Sequence, residues 1–216
     1  MKQNSRKFNE RLAHKYLDAK TYVLNSKYAW ELDWQTSISF KQITETDFLR
    51  ETAWVIISSG FKESVVRKIF PDLSKAFLYW GNIQNILSNL TECKSQALKI
   101  FRNTQKINAI CAVIESVASL GFSKVKQKIL KYGIDYLRSF PFIGPTTGLH
   151  LLKNLGINVA KPDRHLVRIS KTAGYASVQT MCSEIVNMVG DSIAEVDLVL
   201  WRYATLKKDY INIFKL

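Results

Sequence analysis

Apolar residues recur three and four positions apart through most of this chain, and little interrupts them: 216 residues contain four prolines and nine glycines. That period turns one face of an α-helix toward a core, whereas a half-buried strand would need strict alternation. The fold class it predicts is all-α. Ala53, Ile56 and Ile57 follow a cap-like Thr46-Asp47 start; Ile107, Ile110, Cys111, Ile114 and Val117 form a second stripe, and Val178, Met181, Ile185 and Met188 a third. Shorter helices are predicted over residues 62–70, 74–80, 83–90, 94–101, 123–131 and 134–140, punctuated by Pro71, Gly81, Gly121 and Gly133. The aromatic-rich residues 30–40 read as a brief extended segment.

Composition narrows the partner. A hydrophobic fraction of 47% suffices for one sizeable core or two small lobes. Thirty-one Lys and Arg against eighteen Asp and Glu leave a formal charge of +13, the balance of a protein that meets a polyanion, and nucleic acid leads that class. No run of apolar residues is long enough to span a bilayer, and the chain begins Met1-Lys2-Gln3-Asn4-Ser5-Arg6-Lys7 without an apolar signal core, so no membrane contact and a cytoplasmic, nucleoid-associated location are expected. Cys93, Cys111 and Cys182 are odd in number and widely spaced, which predicts buried thiols and no zinc or iron–sulfur site.

The most informative stretch is Leu137-Arg138-Ser139-Phe140-Pro141-Phe142-Ile143-Gly144-Pro145-Thr146-Thr147-Gly148-Leu149, which reads helix, tight turn, helix. Pro141 stops the first helix, Gly144 is expected to take the positive φ of the reversal, and Pro145 suits a first helical turn, where its missing N–H has no intrahelical partner. Amides exposed there, backed by the helix dipole, make a sequence-independent phosphate site to which the Thr146 and Thr147 hydroxyls would add. Read alone, the stretch is equally an ordinary helical corner. Further on comes Lys161-Pro162-Asp163-Arg164-His165-Leu166-Val167-Arg168, an acid at a helix start amid positive charge. Asp163 reads either as a plain N-cap or as a fixed carboxylate for stabilising a cation.

Together the two segments resemble the helix-hairpin-helix DNA glycosylase superfamily, of endonuclease III type without the iron–sulfur cluster. Phe140-Pro141-Phe142-Ile143-Gly144-Pro145-Thr146-Thr147-Gly148 is similar to its Leu-Pro-Gly-Val-Gly-Arg-Lys-Thr-Ala hairpin, and Asp163-Arg164-His165-Leu166-Val167-Arg168 to its Asp-x-His-x-x-Arg run. Weaker similarity covers residues 48–66, where Glu51 to Gly60 resembles the family's first barrel helix, and Ile193 to Trp201. The resemblance implies a six-helix barrel over residues 48–158, carrying the hairpin at 140–155, and a second helical lobe from residues 1–47 and 159–216 that carries the catalytic acid.

It further implies a monomeric DNA N-glycosylase that flips a damaged or modified base out of double-stranded DNA, with Asp163 as its catalytic residue. Phe142, Gly144, Thr146, Thr147, Lys161, Arg164, His165 and Arg168 would contact DNA. Phe61, Lys62 and Trp201 would form the wedge or base pocket, with Trp30 and Trp34 as further stacking candidates. Main-chain carbonyls of Arg138, Phe140 and Ile143 would hold a structural Na+ or K+, with no other cofactor. Two departures matter: Phe142 stands at the first hairpin glycine, and Thr146 stands where bifunctional members carry the lysine that forms a Schiff base, which implies hydrolysis without strand cleavage. The alternatives are a bifunctional glycosylase and lyase using Lys153 or Lys161, and a non-catalytic helix-hairpin-helix module in which Asp163 only caps.

Overall fold

The computed structural model describes residues 2–215, with side chains from residue 9 onward. In chain order its helices are α1 (Lys2–Leu24), α2 (Trp30–Ser37), α3 (Glu45–Ser58), α4 (Glu63–Ala76), α5 (Ile83–Ser88), α6 (Leu90–Ile100), α7 (Thr104–Leu120), α8 (Phe122–Tyr132), α9 (Ile134–Leu137), α10 (Pro145–Asn154), α11 (Arg164–Thr172), α12 (Val178–Val189) and α13 (Ile193–Leu206). Short 3-10 segments lie at Leu78–Trp80 and Tyr210–Phe214. The chain is all-α, and no strand occurs among the described residues. Of residues 30–40, read from sequence as extended, Trp30–Ser37 form α2 instead, because Leu32 and Gln35 recur at helical spacing on a buried face, and the chain turns extended only at Ile38. Two compact units result, one from Phe40–Leu155 and one from Met1–Ser39 with Gly156–Leu216.

In the first unit α3 is the central helix. Thr44 and Asp47 close a reciprocal capping box at its start, and Phe48, Leu49, Ala53, Val55, Ile56 and Ile57 are buried along it. It packs on α4, α7 and α10. Helix α4 runs through Pro71, which sequence reading took as a stop. Its buried Val66 and Leu73 lie on either side of that proline, so packing across it outweighs the lost backbone bond. The helix predicted at 74–80 ends at Ala76; Leu78, Tyr79 and Trp80 then adopt φ of 53°, 54° and 61°. A left-handed turn without glycine costs about 1–2 kcal/mol per residue. Trp80 offsets it by burying its ring against Phe77, at a centroid distance of 4.9 Å, while Nε1 donates to Ser74 Oγ at 3.0 Å.

The second unit packs α1 on α12 and α13, and α2 and α11 on α13. Leu12, Tyr16, Ala19 and Val23 of α1 share its core with Leu166, Ile169, Met181, Ile185, Val199 and Phe214. A polar cluster pins α1 in place: Tyr16 Oη donates to Asp191 Oδ2 at 2.5 Å, and Lys20 bridges Asp191 and Glu195 at 2.7 and 2.8 Å. Burial, and then the Asp191 carboxylate, raise the Tyr16 phenol above its ordinary value. A second pair lies deeper. Arg202 of α13 donates from Nε and Nη2 to Glu31 of α2 at 2.8 and 2.6 Å, and its guanidinium lies 3.9 Å from the Tyr28 ring centroid.

Candidate active site

The hairpin is built by α9, residues 138–144 and α10. Pro145 occupies the first turn of α10, as its fixed φ favours, but the positive φ falls on Phe142 (62°) and not on Gly144. Gly144 is the N-cap, extended at φ −96° and ψ −172°. A cap must leave helical space in the β direction, so the reversal is displaced two residues upstream onto a phenylalanine. Thr147 holds this geometry: its Oγ1 accepts the Gly144 N–H at 2.7 Å and lies 3.2 Å from the Phe142 carbonyl, to which it donates. With that hydroxyl engaged in the turn, the groups open to an anion are the exposed Thr146 hydroxyl and the first-turn amides of Thr146 and Thr147. The Phe140 carbonyl accepts the Ile143 amide at 3.2 Å, which leaves it one lone pair for a cation.

Close packing of α10 against α9 requires Gly148. A Cβ there would lie 2.8 Å from Ile134 Cγ1 and 3.2 Å from Cδ1. Ile134 is β-branched and stiff, so Gly148→Ala should lose about 1–3 kcal/mol of stability to overpacking, more than the roughly 1 kcal/mol that alanine gains in a helix. A lowered urea midpoint would show it; an unchanged or raised midpoint would mean the contact relaxes freely. Asn154, at the far end of α10, donates to Glu51 of α3 at 3.0 Å. Burial pushes the Glu51 carboxyl up while Arg50, at 3.2 Å, opposes it.

Beside the turn lies a group that sequence reading missed. Lys106 of α7 is 4% exposed, and its ammonium donates to the carbonyls of Ile56 at 2.7 Å, Ile57 at 3.0 Å and Ser59. These are carbonyls at the end of α3, where a helix leaves acceptors without intrahelical partners and the dipole favours a cation. The same ammonium lies 4.7 Å from the Phe61 ring and 5.9 Å from the Phe142 ring. It thus ties the α3–α4 connection, which carries exposed Phe61 and Lys62, to the hairpin turn. The available signal was its place on the α7 stripe, four, seven and eleven residues before buried Ile110, Val113 and Val117.

Burial pushes the Lys106 amine down to about 8 from an ordinary 10.5. The folded value lies below the unfolded one, so the unfolded chain holds more protons in that window, and this group's contribution to stability rises with pH through it. Relative to a Lys106→Met variant, the wild type should therefore gain stability between about pH 7.5 and pH 9.5 in denaturant titrations. A constant difference would show that the three carbonyls at the end of α3 offset the cost of burying the charge.

In the other unit, Asp163 is the N-cap of α11. The preceding segment is held by side chains: Ala194 N–H donates to Asn158 Oδ1 at 3.1 Å, Ala160 N–H to Gln179 Oε1 at 3.4 Å, and Lys161 N–H to buried Asp197 at 2.7 Å. This fixes where α11 starts. Asp163 Oδ1 accepts the amides of His165 and Leu166 at 2.8 and 3.0 Å, whereas Oδ2 makes no hydrogen bond to the described residues. The carboxylate is half-buried, and Arg164 and Arg168 are exposed on the same helix. His165 is engaged within the protein, with Nδ1 2.9 Å from Tyr210 Oη and Arg164 Nε donating to Nε2 at 3.4 Å. A neutral ring that accepts at Nε2 carries its proton on Nδ1. Burial, against the pull of Asp163, lowers its pKa. Trp201 is half-buried on α13, with the Arg202 guanidinium 4.5 Å from its ring, and Trp30 is exposed at the start of α2.

No family model and no curated protein matches the chain. Among solved structures, it is similar to the Methanocaldococcus jannaschii 8-oxoguanine glycosylase/lyase in complex with 15mer DNA containing 8-oxoguanine, with 21% sequence identity and a TM-score of 0.53 over 88% of this chain and 97% of that one. The chain therefore has a DNA glycosylase fold.

Proposed function

We propose that this protein is a DNA N-glycosylase that hydrolyses the bond between a damaged or modified base and its deoxyribose. The observation that carries the reading is Asp163: its cap engages one oxygen and leaves the other without a hydrogen bond to the described residues, in a chain whose fold is that of an enzyme crystallised on 8-oxoguanine DNA. As the C1′–N bond breaks, its electrons leave with the base and positive charge develops on the sugar. A fixed carboxylate offsets that charge, and water adds to C1′ while its proton passes to Oδ2 and then, through solvent, to the nitrogen of the departing base. Free base and an abasic site result. The base must first leave the stack, with Phe61, Lys62 and Trp201 as the groups to fill the gap or face it. Lys161, Arg164, His165, Arg168 and the hairpin residues Phe142, Gly144, Thr146 and Thr147 would hold the backbone. A monovalent cation at the Arg138, Phe140 and Ile143 carbonyls would add positive charge behind the hairpin phosphate.

Thr146 offers no amine at the position of the Schiff-base lysine, and Lys153 is 5% exposed, which favours hydrolysis alone. The name of the solved structure, a glycosylase/lyase, keeps a bifunctional reading in view, with Lys161 as its candidate. Duplexes each carrying one altered base, 8-oxoguanine first, separate these readings. Release of free base, with strand breaks only after alkali and no covalent adduct on borohydride treatment, is expected for at least one of them. An adduct would establish the lyase, and no release from any duplex would leave a binding module.

A further inference from the structure

The solvent face of α8 carries charge of a single sign. Lys124, Lys128 and Lys131 are exposed at i, i+4 and i+7, on a different face from buried Val125 and Ile129, and the helix contains no acidic residue. None of the three has an ion-pair partner among the described residues. The fourth lysine, Lys126, is turned inward and donates to the carbonyls of Lys41 and Ile43 at 2.9 and 3.2 Å. Such a stripe works against its own helix, since like charges a turn apart repel and Lys124 sits in the first turn, where the dipole disfavours a cation. An external anion removes that cost. Helix α8 packs on α9, the first helix of the hairpin, and joins it through Gly133. The stripe is about 10 Å long, roughly the axial span of four consecutive phosphates on one strand. Beside it, Leu130 and Tyr132 are 69% and 51% exposed.

We infer that α8 is a second phosphate-binding surface, which extends the hairpin's grip along the duplex through Lys124, Lys128 and Lys131. The inference rests on the reading that the protein binds DNA. Its test compares wild type with a Lys124→Gln, Lys128→Gln, Lys131→Gln triple variant on an unmodified duplex across a range of salt concentrations. A charge-matched control replaces exposed Lys68, Lys75 and Lys99 of α4 and α6 with Gln. Each lost phosphate contact lowers the slope of log affinity against log salt by about 0.9, so the triple variant should lose about 2–3 in slope and about tenfold or more in affinity near 0.1 M salt. The control should change the slope by less than about 1. A slope unchanged in the α8 variant, or lowered equally in the control, overturns the inference while leaving the DNA reading intact. Wild type without salt-dependent affinity overturns both. Vesicles of anionic phospholipid, bound by wild type and not by the α8 variant while the DNA slope stays unchanged, would assign the stripe to a membrane surface instead.

Discussion

Asp163→Asn should abolish base release while leaving the fold and the affinity for duplex intact. Asparagine is as good an N-cap as aspartate, so its side-chain oxygen can keep accepting the His165 and Leu166 amides that Oδ1 now takes at 2.8 and 3.0 Å. What the substitution removes is the negative charge. Losing one electrostatic stabiliser of a developing charge costs roughly 10²–10³ in rate, and here the same group also receives the proton of the attacking water. Single-turnover release at saturating protein reads that loss directly, with affinity within a few-fold of wild type as the internal control. An equal melting temperature with undiminished release would reduce Asp163 to a cap. Loss of melting temperature and release together would make the carboxylate structural in this chain.

The largest stability effect should come from Glu31. Its ion pair with Arg202 is closed in bidentate form, with side chains 5% and 2% exposed. Glu31→Ala leaves a guanidinium buried against Tyr28 and Trp201 without its carboxylate, which costs about 3–5 kcal/mol. Removing both charges, as Glu31→Leu with Arg202→Met, should restore most of that loss, because the penalty belongs to the stranded ion and not to the absent bridge. Denaturant titrations of the single and double variants give the comparison. A double variant as unstable as the single one would mean that the pair contributes through packing geometry that apolar side chains cannot replace.

The helices were legible because each buries one face: the α7 stripe and Val178, Met181 and Ile185 of α12 lie where the apolar spacing puts them, although Met188, counted in that stripe, is exposed, and Pro145 opens α10. What was not legible depends on distant partners. The pair of Glu31 and Arg202 joins residues 171 positions apart, and no local pattern reveals it. The position of Lys106 on the α7 stripe signals burial, but its acceptors appear only once the end of α3 is brought over it. In the hairpin, the proline and the cap were readable, but the left-handed residue was not: glycine at 144 drew the positive φ in sequence terms, while the cap geometry at that residue moved it to Phe142. Asp163 is a case where two readings share one residue. A cap and an electrostatic stabiliser both call for a carboxylate at a helix start, and a cap that engages one oxygen accommodates both roles.

The most direct measurement is a crystal structure of the protein on a duplex carrying an excisable base above a 2′-fluorinated sugar, which slows glycosidic cleavage by disfavouring positive charge at C1′. The account predicts Asp163 Oδ2 within about 4 Å of C1′ of an extruded nucleotide, with Oδ1 still capping α11. A nucleotide bound with C1′ far from that oxygen, or a duplex seated with every base in its stack, would contradict it.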